Sequence, residues 1–484
     1  MLDNIISNAD KHEHSHAQNR FAVVPTTEKL KANPNFKGIG VRIAFLDSGF
    51  YPHTDFLSRV VEFHDVANEE QSLNGIFQPQ AHHWHGTQTV VSCAGDGSLA
   101  DGVYGGIACA AELVLVKVSE NGDVHEANIE KGLQWILANR ERLNIRILNM
   151  SLGGDMDAMS NESVINQLAE ELIKQGVVIT VAAGNSADSH SIPPANCPSV
   201  ITVGGFSDEN QFEAEKFELY HSNFGATADG IIKPEIIAPA MFVAAPILPE
   251  TDSYKSAETL SILAAAPEYA FRLLLDEYWQ TADLPDYIRF YDNQAARDLI
   301  EKKLSEQKVV ATHYQHVDGT SFAAPIVASV VAQMLEANPH LTPSVVKNIL
   351  ISTAKRLSGF PAVRQGFGVL NANLAVEVAL REIHFFNHET YTPPRIEGKK
   401  IVFFYHDDTA QTVSLAGDFN DWKADKTNFA ECADGIWRAE ISCLPGGKYL
   451  YKFVVNGNRW IEDASNGLKE ANEYGSFNSI LNIS

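Results

Sequence analysis

Residues 145–185 read IRILNMSLGGDMDAMSNESVINQLAEELIKQGVVITVAAGN. Two runs in it, 145–152 and 177–185, are apolar on both faces, as strands buried inside a parallel sheet are. Between them, 161–176 repeats apolar residues at helical spacing and leaves a polar opposite face. Strand, helix, strand in that order predicts parallel pairing through a right-handed crossover. The pattern extends outward. Strands are predicted at 41–47 (VRIAFLD), 112–118 (ELVLVKV), 199–205 (SVITVGG) and 235–239 (EIIAP), with a further helix at 125–143. The predicted fold class is α/β, a doubly wound parallel sheet covered by helices on both faces. Such sheets collect functional groups at the C-terminal ends of their strands.

What stands at those ends is chemically specific. The strand at 41–47 ends in Asp47 and a glycine turn. In 82–97 (HHWHGTQTVVSCAGDG), His85 precedes a small-residue helix start. In 316–339 (HVDGTSFAAPIVASVVAQMLEANP), a Gly-Thr-Ser turn runs into a long apolar helix, with Pro325 tolerated in its first turn. Ser321 therefore sits at a helix N-terminus, where free N–H groups and the positive dipole end face any charge that develops beside its oxygen. Alone, such a serine reads as a helix cap. Asp47 and His85 change that reading: a hydroxyl nucleophile needs an imidazole to take its proton and a carboxylate to orient the imidazole. The chain order Asp, His, Ser is one known solution. Asn185, closing the 177–185 strand, can donate its amide to an oxyanion.

FLDSG, HGTQT, AAGNS and GTSFAAP resemble the four catalytic-site motifs of the subtilisin-like serine peptidases, in that family's order. YGGIACAAELVLVKV, LNMSLGG, PPANCPSVITVGG, KPEIIAPA and GFGVLNANLAVEVA resemble its core segments, and together these cover most of 38–382. The resemblance implies a serine endopeptidase acting on protein and peptide substrates. Asp47, His85 and Ser321 become the triad and Asn185 the oxyanion donor. Ser151, Leu152, Gly153, Ala182 and Ala183 would line the substrate cleft. Gln88 stands where the family often has a second histidine, and Ala240 where a glycine is usual. The alternative is a catalytically silent domain that serves as a scaffold. The chemistry requires no cofactor. Calcium is common in the family, and Asp96 and Asp101 in GDGSLADG offer oxygen ligands in a turn, although the loop matches no ligand pattern. His82 and His83 have no carboxylate or thiol beside them at ligand spacing, so no metal site is assigned there.

The sequence has 484 residues, 45% of them hydrophobic, enough for a sizeable core, and a formal net charge of −24. That charge disfavours nucleic acid and anionic membranes as partners. Cys93, Cys109, Cys197, Cys432 and Cys443 show no paired or zinc spacing. Buried free thiols are expected, with Cys432 and Cys443 the one pair that a small β module could bridge. No stretch reads as apolar for long enough to span a membrane, and the first twenty residues lack a signal-peptide core. A cytoplasmic setting is the expectation.

Residues 1–37 form a polar N-terminal extension with His12, His14 and His16, expected to be a mobile tail. Within the peptidase region 38–382, residues 246–313 are helical by pattern, rich in aromatics and enter just before the nucleophile. They are expected to make a helical insert, over the cleft or beside it. Residues 383–398, with paired prolines, read as a linker. Residues 399–484 alternate short strands with Asn, Gly, Asp and Pro turns, which predicts a small all-β immunoglobulin-like sandwich. SLAGDFNDW, LPGGKYLYKFVVNGNRWIEDASN and GSFNSILNI resemble glycogen-binding modules of a kinase regulatory subunit and of starch-branching and debranching enzymes. That resemblance implies an α-glucan partner, glycogen or starch. Trp422 and Trp460 would stack on sugar rings while Lys452 and Asn478 bind hydroxyls. The alternatives are that both tryptophans belong to the core, or that the module docks a partner protein.

Overall fold

The structure, a computed structural model, describes residues 23–68, 73–154, 159, 162–212, 214–382, 394–397, 399–407, 409–433, 435–466 and 468–483. His12, His14 and His16, and most of the expected linker, lie outside the described residues.

Strands β1 (Arg42–Asp47), β2 (Val60–Asp65), β3 (Glu112–Lys117), β4 (Ile147–Met150), β5 (Val178–Ala182), β6 (Ile201–Ser207) and β7 (Ile236–Pro239) pair in parallel, in the order β7-β6-β5-β4-β1-β3-β2. A two-residue strand, Glu218–Leu219, adds antiparallel to β6. From β1 the chain builds outward in both directions, so the order switches where β1 meets β4, and a crevice opens beyond their carboxyl ends. Alternation along β1 shows the double winding. Ile43 and Phe45 enter one core with helices α1 (Trp84–Ala94), α7 (Thr320–Ala337), α8 (Pro343–Thr353) and α9 (Ala372–Arg381), while Ala44 and Leu46 enter another with α2 (Glu126–Asn139) and α3 (Val164–Lys174).

Contrary to expectation, among the described residues one helix is long and apolar enough to cross a membrane: α7, with mean hydropathy 1.3. It is 83% buried inside the protein, packed on β4, β5, β6, α1 and α9. A helix surrounded on all sides must be apolar on all sides.

The stretch before Ser321 carries α4 (Asp252–Ala265), α5 (Glu268–Tyr278) and α6 (Asn293–Glu306), with a core of their own that includes Leu260, Phe271 and Ile300. A three-stranded antiparallel sheet, ordered β8 (Val243–Pro246), β10 (Tyr314–Val317), β9 (Val309–Ala311), ties this core to α7. Residues 23–37 depart from the mobile tail expected of the extension. Thr26–Lys29 is helical, Lys29 Nζ pairs with Asp208 at 2.7 Å in the interior, and Gln333 Nε2 donates to the carbonyls of Asn33 and Phe36.

The C-terminal region is a sandwich of two antiparallel sheets. One is ordered β11 (Arg395–Glu397), β12 (Lys400–His406), β15 (Ile436–Ser442), β14 (Ala430–Ala433). The other is ordered β13 (Val413–Gly417), β16 (Gly447–Val455), β19 (Phe477–Ile483), β18 (Lys469–Ala471), with β17 (Arg459–Ile461) also on β16. Phe403, Leu415, Trp437, Tyr451 and Phe453 fill the space between them. Residues 395–397, read as linker, are thus an edge strand. All five cysteines are free: Cys93 and Cys197 are buried, Cys109 half-buried, and Cys432 and Cys443 exposed and unbridged.

Candidate active site and sugar cleft

Asp47 is the last residue of β1, and burial leaves its carboxylate 1% exposed. Its Oδ1 accepts from Ser48 N at 2.7 Å and lies 2.7 Å from His85 Nδ1, while Thr89 Oγ1 donates to Oδ2 at 3.2 Å. His85 stands in the first turn of α1, close to the end of β1. The approach is tight: a Cβ on Gly86 would fall 2.3 Å from the Gly49 carbonyl oxygen and 3.1 Å from Asp47 Cβ. Only glycine lets the helix start this close. Burial alone would push the imidazole down. The Asp47 charge and hydrogen bond outweigh it and hold His85 above its ordinary value of 6.5. Trp84 packs edge-on to the imidazole at 5.3 Å and Phe322 lies at 6.1 Å.

Ser321 is the second residue of α7, which Gly319 caps at φ +144°, a backbone that L side chains rarely adopt. Its Oγ donates to the Ser151 carbonyl at 3.4 Å, and Ser151 Oγ donates to the Ser321 carbonyl at 2.7 Å. Ser151 is held in turn by Asn149 Nδ2 at 3.1 Å. Asn185 is fixed through its oxygen, since Thr320 N and Thr320 Oγ1 both donate to Oδ1 at 2.9 Å. Its amide nitrogen is therefore left for a ligand. Gly184 has φ +102°, and Asn223 braces the loop by accepting from Ser186 N at 2.8 Å and donating to the His190 carbonyl at 2.9 Å.

His85, Asn185 and Ser321 line one open cleft. Leu152 is half-buried and Gly153 exposed at the end of β4, and Ala182 is half-buried at the end of β5. Ser151 and Ala183, expected to line the cleft, have buried side chains, so they can meet a substrate only through backbone. Gln88 is buried and donates to the Pro246 carbonyl at 2.9 Å. The methyl of Ala240 fills the place that Gly205 leaves empty.

Asp96 spends Oδ1 on Ser98 N at 2.9 Å, closing the 95–102 loop on itself. His82 and His83 pack edge to edge at 4.7 Å, and burial first, then His82 and Lys117, push His83 down to about 4. Among the described residues, no three His, Cys, Asp or Glu side chains converge as a metal would need.

In the sandwich, a concavity of about 850 Å³ is lined by Trp422, Lys452, Trp460 and Asn478 together. Strand register does this. Tyr451 and Phe453 point into the core, Lys452 lies between them on the opposite face, Tyr451 pairs Ser479 beside Asn478, and Val454 pairs Trp460. Asp418 accepts from Trp422 Nε1 at 2.9 Å and from Leu450 N at 2.7 Å, fixing the indole to the strand. Lys452 Nζ donates to Ser476 Oγ at 2.7 Å, and Asn472 Nδ2 donates to Asn478 Oδ1 at 2.9 Å. The tryptophans are not core residues, Trp460 being 44% exposed.

Thr320, Thr89 and Ser48 were within the motifs but carried no assigned role. Asn223 and Ser476 act through partners 37 and 24 residues away, while Asp418 and Asn472 reach Trp422 and Asn478 from within the same turn or hairpin and carried no assigned role.

The family model described as the subtilase family matches residues 38–369, and carbohydrate-binding module 48 (isoamylase N-terminal domain) matches 390–467. Serine protease AprX of Bacillus subtilis is 29% identical over 358 residues, covering 72% of this chain and 69% of that protein. Subtilisin-like protease 1 of Trichophyton rubrum is 31% identical over 198 residues, and the match spans 40% of this chain and 34% of that one. Among solved structures, fervidolysin from Fervidobacterium pennivorans aligns with TM-score 0.49 and 16% identity, over 88% of this chain and 55% of that one. A protease from Pseudoalteromonas arctica aligns with TM-score 0.45 and 20% identity, over 75% of this chain and 96% of that one. With its family model matched from the first strand of the parallel sheet to beyond α7, the chain belongs to the subtilase family and carries a C-terminal carbohydrate-binding module.

Proposed function

We propose that this subtilase is an active serine endopeptidase working through Asp47, His85 and Ser321, and that its C-terminal module targets it to α-glucan. The observation that carries the first part is the 2.7 Å bond from His85 Nδ1 to a buried Asp47. That bond commits Nδ1 as donor and leaves Nε2 as the basic nitrogen. His85 takes the Ser321 proton as Oγ attacks the peptide carbonyl, and the carbonyl electrons move onto its oxygen. Asn185 Nδ2 and the Ser321 N–H, at the positive end of α7, hold that oxyanion. Collapse breaks the C–N bond, His85 protonates the leaving amine, and water then releases the acyl group by the same steps. Fluorophosphonate labelling of the full-length protein with mass spectrometry of the modified peptide tests this. Labelling at Ser321, lost in Ser321→Ala together with peptide cleavage, is expected. A folded, unlabelled wild type would mean a silent scaffold.

For the module, the supporting observation is that Trp422, Trp460, Lys452 and Asn478 share one concavity. Aromatic faces pack on sugar C–H groups while an ammonium and an amide bind hydroxyls. Sedimentation with glycogen is the test, and wild type left in the supernatant would favour a partner-docking role.

A further inference from the structure

A cleft of about 360 Å³ is lined by Ser321, His85 and Asn185 together with Lys308, His316 and Asp318. Ser151, Leu152, Gly153, Ala182 and Ala183 are not among its lining residues. Taking those five as the wall that holds the chain before the cleaved bond leaves this cleft for the residue after it.

Lys308 comes from the helical region that precedes the nucleophile. It follows α6 in a left-handed backbone, φ 57°, where glycine is the easy residue. Its N–H donates to the Ser305 carbonyl at 3.0 Å and its carbonyl accepts from His316 N at 2.8 Å. The ammonium pairs with Asp318 Oδ2 at 2.5 Å, three residues before Ser321. Asp318 is the less exposed partner, its side chain 22% exposed. Lys308 occupies Oδ2, Phe242 N donates to Oδ1 at 3.2 Å, and His316 Nδ1 stands 3.8 Å from Oδ1. Lys308 differs, for its side chain is 49% exposed, and an ammonium has three donors of which Asp318 takes one. The wall is an ion pair whose lysine is the more exposed partner, with ammonium donors still open to a ligand. A substrate carboxylate arriving there gains a charge-assisted partner, whereas a substrate lysine or arginine meets like charge.

We propose that Lys308 determines specificity, selecting substrates with Asp or Glu directly after the cleaved bond, so that the helical insert sets substrate choice through one residue. The proposal rests on the peptidase reading above. Because Lys308 is half-exposed and salt screens it, the selection is modest, about fivefold in kcat/KM.

The test is cleavage of a chymotryptic digest of a denatured bacterial proteome by the full-length protein, with cut sites read by mass spectrometry. Fluorophosphonate labelling of Ser321 is measured in parallel. Wild type should enrich Asp and Glu over Lys and Arg after the cut about fivefold, and 1 M NaCl should shrink this. Lys308→Ala should abolish the enrichment, Lys308→Glu reverse it and Lys308→Arg keep it, all with labelling rates within about twofold of wild type. Labelled, active wild type without enrichment, or variants with the wild-type profile, would overturn the proposal and leave the peptidase reading standing. Wild type that neither labels nor cleaves would overturn both.

Discussion

His85 is pulled two ways, since burial disfavours the imidazolium and Asp47 favours it, with Asp47 ahead. The working form is neutral, so the acidic limb of the pH profile should lie above 6.5 in wild type. In Asp47→Asn only the burial cost remains, and the limb should move down while turnover falls about 10⁴-fold. The pH dependence of fluorophosphonate labelling reads both. Asn185→Ala should lower kcat by about 10²–10³, as removing an oxyanion donor does. Thr320→Val is the sharper probe. It removes one of two bonds that aim the Asn185 amide, and should lower kcat about tenfold with little change in KM. At this scale the positions of Asp47, His85 and Ser321 were readable, because each ends or begins an element within a short motif. The roles of Thr320 and Asn223 were not, because a bond from Thr320 to Asn185 spans 135 residues.

Elements place these groups by close approach. Gly86 permits the start of α1 to lie on the turn after β1, and Gly86→Ala would put a methyl 2.3 Å from a backbone oxygen. We expect a cost of about 1–3 kcal/mol in urea unfolding and a larger loss of activity, because the relief displaces His85 from Asp47. Strands β1, β3, β4, β5, β6 and β7 follow the predicted runs, since burial on both faces leaves a continuous apolar signature. β2 was not predicted. It lies at the sheet edge and reads VVEFHD, with polar residues that edge position tolerates. In the sandwich, the short strands Ala430–Ala433 and Lys469–Ala471 were likewise invisible, for they exist by pairing with longer neighbours.

At the scale of the whole molecule, an ion cluster joins distant segments. Glu235 Oε1 accepts from Lys233 at 2.6 Å and from Lys347 on α8 at 2.7 Å, with all three buried. Burial pushes Lys233 down to about 8 and works against the Glu235 carboxylate, yet the two lysines still hold Glu235 below its ordinary 4.5. A depressed carboxylate stabilises fully above that ordinary value and loses its contribution as pH falls through the folded one. Glu235→Gln strands two buried ammonium groups, and should cost about 3–5 kcal/mol in denaturant unfolding at neutral pH, less in acid. In the sandwich, Trp422→Ala and Trp460→Ala should each weaken glycogen sedimentation about fivefold without changing peptide cleavage. The sequence by itself determined the parallel sheet, its order of catalytic motifs and the β character of the C-terminal region. Periodicity and turn residues act over a few positions, so they are visible in any short window. Only the tertiary structure decided that Asn185 is aimed by Thr320, that Trp422, Lys452, Trp460 and Asn478, from three strands and a loop, share one concavity, and that Lys308 lines the same cleft as Ser321. Those facts depend on strand register and helix placement, which are set by packing between residues far apart in the chain.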